Sequence, residues 1–293
     1  MKYLIIDSIA RSGTTLFSSM VRTQAKCVTF DGNFMEPWNI HGEPSEPLKN
    51  GYKPIEFNAI SKPKFRSYPG EIMKVFSSPN LGERIMMGKD FSEWQNILYK
   101  KVVDYDSLYD RIAKEFKAEL IGFRWNQNLF YAPQWLNRSS DHYWVVVVRN
   151  PLDRTASNIK THGWKFDDCL KLSVELDRKF WTLKKHYPDR LLLVYYEDLI
   201  DNPQEQMRDF FAKMNFEVSD IDTTNLIGAN NKHYRNQGWR VKIKKGDHRK
   251  GMKFENFYKT SVNQYKDLLT PRQIAELKMK LSGLKMFSRY FGE

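Results

Sequence analysis

The architecture of this chain follows from one segment near its beginning, Ile5-Ile6-Asp7-Ser8-Ile9-Ala10-Arg11-Ser12-Gly13-Thr14-Thr15-Leu16. Residues 3–6 form an apolar run typical of a buried parallel strand, and a short polar turn follows. A helix is predicted over residues 14–23, with Leu16, Met20 and Val21 on one face. Such a strand–turn–helix unit directs backbone N–H groups and the positive end of the helix at one point, which predicts an anion site.

The residues of the turn suit a phosphate-type ligand. Gly13 lets the backbone approach an anion closely, and Arg11 supplies a fixed charge with several donors. Ser12, Thr14 and Thr15 add hydroxyl donors. An ATPase P-loop would place a lysine after the glycine and a hydroxyl on magnesium, and no lysine follows Gly13. The turn therefore predicts a phosphate site without that magnesium apparatus, and the alternative is a buried turn with a capping serine or threonine.

The composition of the chain predicts a globular protein with an anionic partner. A hydrophobic content of 41% argues against disorder, and a net charge of +12 favours a nucleotide, an acidic sugar, nucleic acid or a membrane surface. Two cysteines make a disulfide framework or a cysteine-based zinc site improbable. No apolar run approaches the ~18 residues of a membrane span, so we expect a cytoplasmic protein without an anchor. The oligomeric state is not indicated.

Strands and helices alternate along the chain. Strands are predicted at residues 3–6, 25–30, 118–124, 142–148 and 191–196, and residues 142–148 carry the strongest signal. Helices are predicted at residues 14–23, 92–99, 105–116, 129–137, from 151 onward, at 167–186, at 203–214 and from 271 onward. This order predicts a single α/β domain over residues 1–293, with a central parallel sheet flanked by helices. Ligands of such sheets bind at the carboxyl ends of the strands.

One long segment breaks this alternation. Residues 31–117 form a loop-rich insertion, and its first part is rich in proline, glycine, asparagine and serine. Long loops in compact domains are usually functional, so we interpret this insertion as an acceptor-recognition region or a lid. The alternative is a poorly ordered insertion.

Two further polar features follow predicted strands. Arg149 leaves the strand 142–148, and Ser157 lies eight positions later on the next helix. An arginine and a hydroxyl in this arrangement can hold one phosphate. The alternatives are a surface ion pair of Arg149 with Asp153 and a small residue that allows close helix packing at Ser157. The third feature, Tyr196-Glu197-Asp198, follows the strand 191–196.

These features resemble the sulfotransferase family. Residues 11–16 resemble the loop that binds the 5′-phosphosulfate of 3′-phosphoadenosine-5′-phosphosulfate, and residues 148–157 resemble the segment that binds its 3′-phosphate. Residues 194–199 resemble the segment whose tyrosine lies near the adenine, and residues 248–251 resemble the Arg-Lys-Gly that closes over the 3′-phosphate. The resemblance implies the cofactor-binding residues Arg11, Ser12, Gly13, Thr14, Thr15, Leu16, Arg149, Ser157, Tyr196, Arg249, Lys250 and Gly251.

The resemblance also implies a fold and a reaction. The fold is a P-loop-NTPase-like three-layer sandwich. The reaction moves a sulfuryl group in line from 3′-phosphoadenosine-5′-phosphosulfate to a hydroxyl or amine of a small-molecule or carbohydrate acceptor. The product is adenosine 3′,5′-bisphosphate. A sulfuryl group carries less charge than a phosphoryl group, so no metal is expected.

Three catalytic residues are proposed on this basis. Arg11 stabilises the bridging oxygen, and Arg124 is a second candidate whose alternative is a strand-end surface cation. Glu36 resembles the glutamate that follows the second strand in bacterial and carbohydrate-type members and is the candidate base. Asp31 and His41 remain alternatives for this role.

A basic run covers residues 240–250 and leads into Gly251. We interpret it as a lid over the 3′-phosphate, and the alternatives are a solvated face or a contact with an acidic acceptor. Two rival functions are a kinase that uses ATP and magnesium and a non-catalytic anion or nucleic-acid binding protein. No recognised nucleic-acid motif is present, so no nucleic-acid partner is expected.

Overall fold

Five parallel strands form the centre of the fold. The computed structural model describes residues 1–24, 26–31, 114, 117–124, 129, 132–221 and 262–291. The strands in these ranges are β1 (Lys2–Asp7), β2 (Cys27–Asp31), β3 (Leu120–Arg124), β4 (His142–Val148) and β5 (Leu191–Tyr195). They pair in the order β2-β3-β1-β4-β5, and every pairing is parallel. Apolar runs without polar alternation make such strands because both faces of the sheet are covered.

The helices are named in chain order. They are α1 (Thr14–Arg22), α2 (Ala132–Leu136), α3 (Pro151–His162), α4 (Phe166–Lys184), α5 (Tyr196–Asp201), α6 (Pro203–Ala212), α7 (Tyr265–Leu268) and α8 (Pro271–Leu281), and a 3₁₀ turn covers Ser288–Tyr290. Proline stands at the start of α3, α6 and α8, where its missing N–H is not needed.

Two hydrophobic cores lie on opposite faces of the sheet. Leu4 and Ile6 of β1 join a core with α1 and α6, where Phe17 packs edge-on against Phe210 at 4.8 Å. Ile5 of β1 joins a second core with residues of α3, α4 and α8. The alternation of side chains along β1 therefore supplies both cores. This arrangement confirms the predicted three-layer α/β architecture.

Strands β1 and β4 are neighbours, yet the helices that follow them lie on opposite faces. Helix α1 follows β1 and packs on one face, whereas α3 follows β4 and packs on the other. The order in which strands are added to the sheet reverses here. Strands β3 and β2 lie on one side of β1, whereas β4 and β5 lie on its other side. Open parallel sheets bind ligands in the crevice outside such a switch point.

Most predicted bounds agree with the structure to within two or three residues. Strand β4 has the predicted bounds, while β5 ends at Tyr195, so the prediction that Tyr196 belongs to this strand was wrong. Tyr196 instead begins α5, and its ring packs against Gly13. The predicted helices 92–99 and 105–116 lie outside the described residues apart from Lys114, as does nearly all of the insertion 31–117. The single-domain assignment and the role of the insertion stay predictions.

Both cysteines, Cys27 and Cys169, are buried free thiols. Burial raises the pKa of Cys27 above its ordinary value, and burial raises the pKa of Cys169 to about 11. In the described part of the chain, no helix has both the length and the apolar character needed to cross a membrane.

Candidate active site

The loop between β1 and α1 is built for close contact with an anion. Arg11 and Gly13 have positive φ angles of 70° and 95°, and Gly13 is the N-cap of α1. The N-cap is therefore a glycine and makes no side-chain hydrogen bond to α1, so the alternative of a capping serine or threonine at this position is wrong. The Ser12 hydroxyl is buried and has no hydrogen-bond partner in the described part of the protein. A helix N-terminus without a side-chain cap, beside an unsatisfied buried hydroxyl, is a suitable anion site.

Tyr196, which directly follows β5, packs against this loop. A Cβ atom on Gly13 would lie 2.2 Å from Cδ2 of Tyr196, so only glycine fits. The guanidinium carbon of Arg149 lies 5.1 Å from the centroid of the Tyr196 ring, which is a cation–π arrangement. Tyr196 therefore joins the loop after β1 to the residue that follows β4.

Helix α3 holds the loop through two side chains. Ser157 Oγ accepts a hydrogen bond from Arg11 Nε at 3.0 Å, and Asn158 Nδ2 donates to the Ala10 carbonyl at 2.9 Å. Arg149 Nη1 donates to the Arg11 carbonyl at 3.2 Å. The structure thus brings together the two segments that the sequence predicts to bind phosphate. Asn158 is a member of this cluster that the sequence did not single out.

Arg149 is not a surface residue. Its side chain is only 4% exposed, which excludes the surface ion pair with Asp153. The Asp153 carboxylate accepts hydrogen bonds from the backbone N–H groups of Asn263 and Tyr265 instead, at 2.9 and 3.2 Å. Burial raises the pKa of Asp153, while these hydrogen bonds and the charge of Arg149 oppose the increase.

Arg124 lies at the end of β3 and reaches the same loop. Its Nη1 donates to the hydroxyl of Thr15, in the first turn of α1. Arg124 is half-buried, so it is not simply a surface cation. Three guanidinium groups, those of Arg11, Arg124 and Arg149, therefore contact this loop or the start of α1, and together they favour a ligand with several negative charges.

A carboxylate joins the ends of β4 and β5. Glu197 accepts hydrogen bonds from the backbone N–H of Asn150 at 2.9 Å and from the hydroxyl of Tyr290 at 2.5 Å. Burial raises the pKa of Glu197, and these two hydrogen bonds act against the increase. Sequence reasoning did not single out Tyr290, because its partner lies 93 positions away in the chain.

The remaining predicted residues lie in the hydrophobic core, at the end of β2 or outside the described residues. Leu16 is buried in the core of α1, so only its backbone is available to a ligand. Asp31 ends β2 opposite Arg124 in the strand register. The structure does not describe Glu36, His41, Arg249, Lys250 or Gly251, and their roles stay predictions. Among the described residues, no group of three histidine, cysteine or acidic side chains gathers into a metal site.

Comparisons with known proteins show the family and the fold of this chain. A family model described as the sulfotransferase family matches residues 4–220. The sulfotransferase domain of the Synechococcus PCC 7002 olefin synthase is 14% identical, with a TM-score of 0.54 over 94% of this chain and 92% of that one. The sulfotransferase domain from the curacin biosynthetic pathway is 12% identical, with a TM-score of 0.53 over 95% and 96%. At such identities the likeness concerns the fold. No curated protein sequence matches this one.

Proposed function

We propose a donor and an acceptor class for this chain, which belongs to the sulfotransferase family and is an enzyme that transfers sulfuryl groups. The donor is 3′-phosphoadenosine-5′-phosphosulfate, and the acceptor is a hydroxyl or amine of a small molecule or carbohydrate. One observation carries the proposal. Arg11 joins the loop after β1 to Ser157 of α3, while Arg149 donates to the same loop, so the two candidate phosphate segments are in contact with each other.

The residues present fit this donor. The buried Ser12 hydroxyl, which lacks a partner among the described residues, and the uncapped start of α1 suit the 5′ end of the nucleotide. Gly13 has a positive φ of 95°, and the Tyr196 ring occupies the position that a Cβ would take, so glycine permits this tight turn at the start of α1. Arg149 and Ser157 suit the 3′-phosphate, for which a bidentate arginine and a hydroxyl are good donors.

The bound donor supplies an activated sulfuryl group and a phosphate leaving group. Catalysis then depends on positioning and on charge stabilisation, as in phosphoryl transfer. Arg11 carries a permanent charge and stabilises the bridging oxygen, but it cannot give up a proton. Arg124 supports this charge from the end of β3. The acceptor proton goes to a base, for which we propose Glu36, with Asp31 and His41 as alternatives, and the insertion 31–117 selects the acceptor.

A thermal-shift experiment tests the donor. Adenosine 3′,5′-bisphosphate at one hundred times its dissociation constant stabilises a protein by about 2.7 kcal/mol, which corresponds to roughly 4–8 °C for a chain of this size. We expect this increase in melting temperature with the bisphosphate and no comparable increase with ATP and magnesium. An increase only with ATP and magnesium would favour the kinase instead.

Arginine variants test the site. Arg149→Ala should abolish the increase in melting temperature, because the 3′-phosphate loses its buried partner. Arg208→Ala is the matched control, since Arg208 is exposed on α6 in an ion pair with Asp220 and its loss changes the net charge equally. Equal effects of the two variants would show that overall charge, and not this site, binds the nucleotide.

A further inference from the structure

Residues near the end of the described chain contact the ends of the strands. Residues 286–291 lie beyond the region matched by the family model, which ends at residue 220. Tyr290 Oη nevertheless donates to Glu197 Oε2 at 2.5 Å. The other oxygen of Glu197 accepts the backbone N–H of Asn150 at 2.9 Å. Hydroxyl, carboxylate and amide therefore form a continuous hydrogen-bonded series.

This series ends beside the site. Asn150 directly follows Arg149, and its side chain caps α3 by accepting the N–H of Leu152 at 3.0 Å. Glu197 directly follows Tyr196, whose ring packs against Gly13 and lies below the guanidinium of Arg149. Glu197 thus fixes the backbone on both sides of the Arg149–Tyr196 contact.

A second attachment holds the segment in place. Both terminal nitrogens of Arg289 donate to the Asp198 carboxylate, each at 2.7 Å. The guanidinium carbon of Arg289 also lies 4.3 Å from the centroid of the Tyr195 ring. A bidentate ion pair with an aromatic contact has a defined geometry, so the neighbouring Tyr290 hydroxyl is directed at Glu197.

We propose that Tyr290 is a positioning residue for the 3′-phosphate subsite. Its hydroxyl orients Glu197, and Glu197 orients Asn150 and thereby the guanidinium of Arg149. The inference rests on the proposed function, because the 3′-phosphate is the group that Arg149 holds. The inference adds that full affinity for the 3′-phosphate depends on Tyr290, which lies outside the region matched by the family model.

Calorimetric titration with two nucleotides tests this inference. A threefold to tenfold change in affinity corresponds to about 0.7–1.4 kcal/mol. For Tyr290→Phe we expect the affinity for adenosine 3′,5′-bisphosphate to fall about threefold to tenfold, while that for adenosine 5′-phosphate falls less than twofold. In turnover assays the donor KM should rise while kcat changes little.

Tyr195→Phe is the matched control. It also removes one tyrosine hydroxyl, which donates to the Met286 carbonyl at 3.3 Å, and so loosens the same segment without touching Glu197. Both affinities should stay within twofold of the wild-type values. If Tyr195→Phe and Tyr290→Phe reduce both affinities equally, the segment has only a structural role and the inference is wrong.

Variants of Glu197 provide a second test that does not depend on the folding of Tyr290→Phe. Glu197→Asp is one methylene too short to reach both partners and should show the same selective loss for the bisphosphate. Glu197→Gln keeps the length and can pair with both Asn150 and Tyr290, so it should retain most of the affinity. Equal affinities of these two variants would overturn the inference.

The wild-type protein separates the inference from the proposed function. A wild-type protein that does not bind adenosine 3′,5′-bisphosphate would overturn the proposed donor and this inference with it. Wild-type binding that neither Tyr290→Phe nor Glu197→Asp reduces would overturn the inference and leave the donor in place.

Discussion

At the scale of single residues, Gly13 meets two demands at once. Its φ of 95° suits glycine, and the absent Cβ would lie 2.2 Å from Tyr196. An alanine there would destabilise the folded state by roughly 1–2 kcal/mol through backbone strain and by a further 1–3 kcal/mol through overpacking. We therefore expect Gly13→Ala to lower the free energy of unfolding by about 3 kcal/mol, as measured by urea denaturation.

Gly163 offers a control that separates the two causes. Its φ is also positive, at 65°, but nothing lies within 4 Å of the position that its Cβ would occupy. Gly163→Ala should therefore cost only the backbone strain, about 1 kcal/mol. If both variants lose the same stability, the contact with Tyr196 is not tight.

The sequence predicted a glycine-dependent turn at position 13 but not its contact with Tyr196. A glycine in a strand–helix turn indicates close approach of a ligand, which is local information. Tyr196 was predicted to be the end of a strand, since tyrosines after an apolar run favour that structure. Its packing against Gly13 depends on the pairing of β1, β4 and β5, which local pattern does not encode.

At the scale of elements, Asp153 joins α3 to α7. Its two oxygens accept the backbone N–H groups of Asn263 and Tyr265 at 2.9 and 3.2 Å. Asp153→Ala leaves both groups without this acceptor, and a buried unsatisfied donor costs about 1–3 kcal/mol. We expect a loss of about 2–4 kcal/mol in the free energy of unfolding, together with faster proteolysis within residues 262–270.

Asp167→Ala is the matched control for this variant. Asp167 is exposed in the first turn of α4, just as Asp153 lies in the first turn of α3, so both changes remove a favourable charge from a helix start. The expected cost is about 0.5 kcal/mol. Similar losses for both variants would mean that the helix charge, and not the link to α7, explains the effect at Asp153.

The elements themselves were largely predictable. Strand β4 is a continuous run of β-branched and aromatic residues, and Pro151 marks the start of α3. The residues within each element therefore determine the extent of β4 and the start of α3. The contacts between elements were not predictable. Arg124 with Thr15 and Tyr290 with Glu197 join residues 109 and 93 positions apart, and nothing in their own neighbourhoods specifies these partners.

At the scale of the whole molecule, His142 makes stability depend on pH. This first residue of β4 is 6% exposed and lies between the rings of Tyr3 and Trp135, each with its centroid 4.7 Å away. Burial, and then the charge of Arg138, lowers its pKa to about 4. The unfolded chain therefore binds a proton between about pH 6.5 and 4 that the folded protein does not. Stability is lost as the pH falls through this window.

Substitution of His142 tests this dependence. The loss between pH 7 and pH 4 should be on the order of 2–3 kcal/mol for this residue. Asp153 and Glu197 act in the opposite direction, because burial raises their pKa values and the folded protein keeps their protons to higher pH. The difference between the wild type and His142→Phe in urea denaturation isolates the histidine. Parallel pH profiles of the two proteins would contradict this assignment.

The attachment of Arg289 and Tyr290 has a consequence for protein synthesis. A ribosome that has passed residue 221 has already made all five strands, so the sheet can begin to form while translation continues. Glu197 and Asp198 still lack their partners at that moment, because Arg289 and Tyr290 have not been added. The sheet can therefore form before Arg289 and Tyr290 make their contacts with Asp198 and Glu197 at the carboxyl ends of the strands. On our proposal, a nascent chain acquires full affinity for its nucleotide only once these contacts have formed.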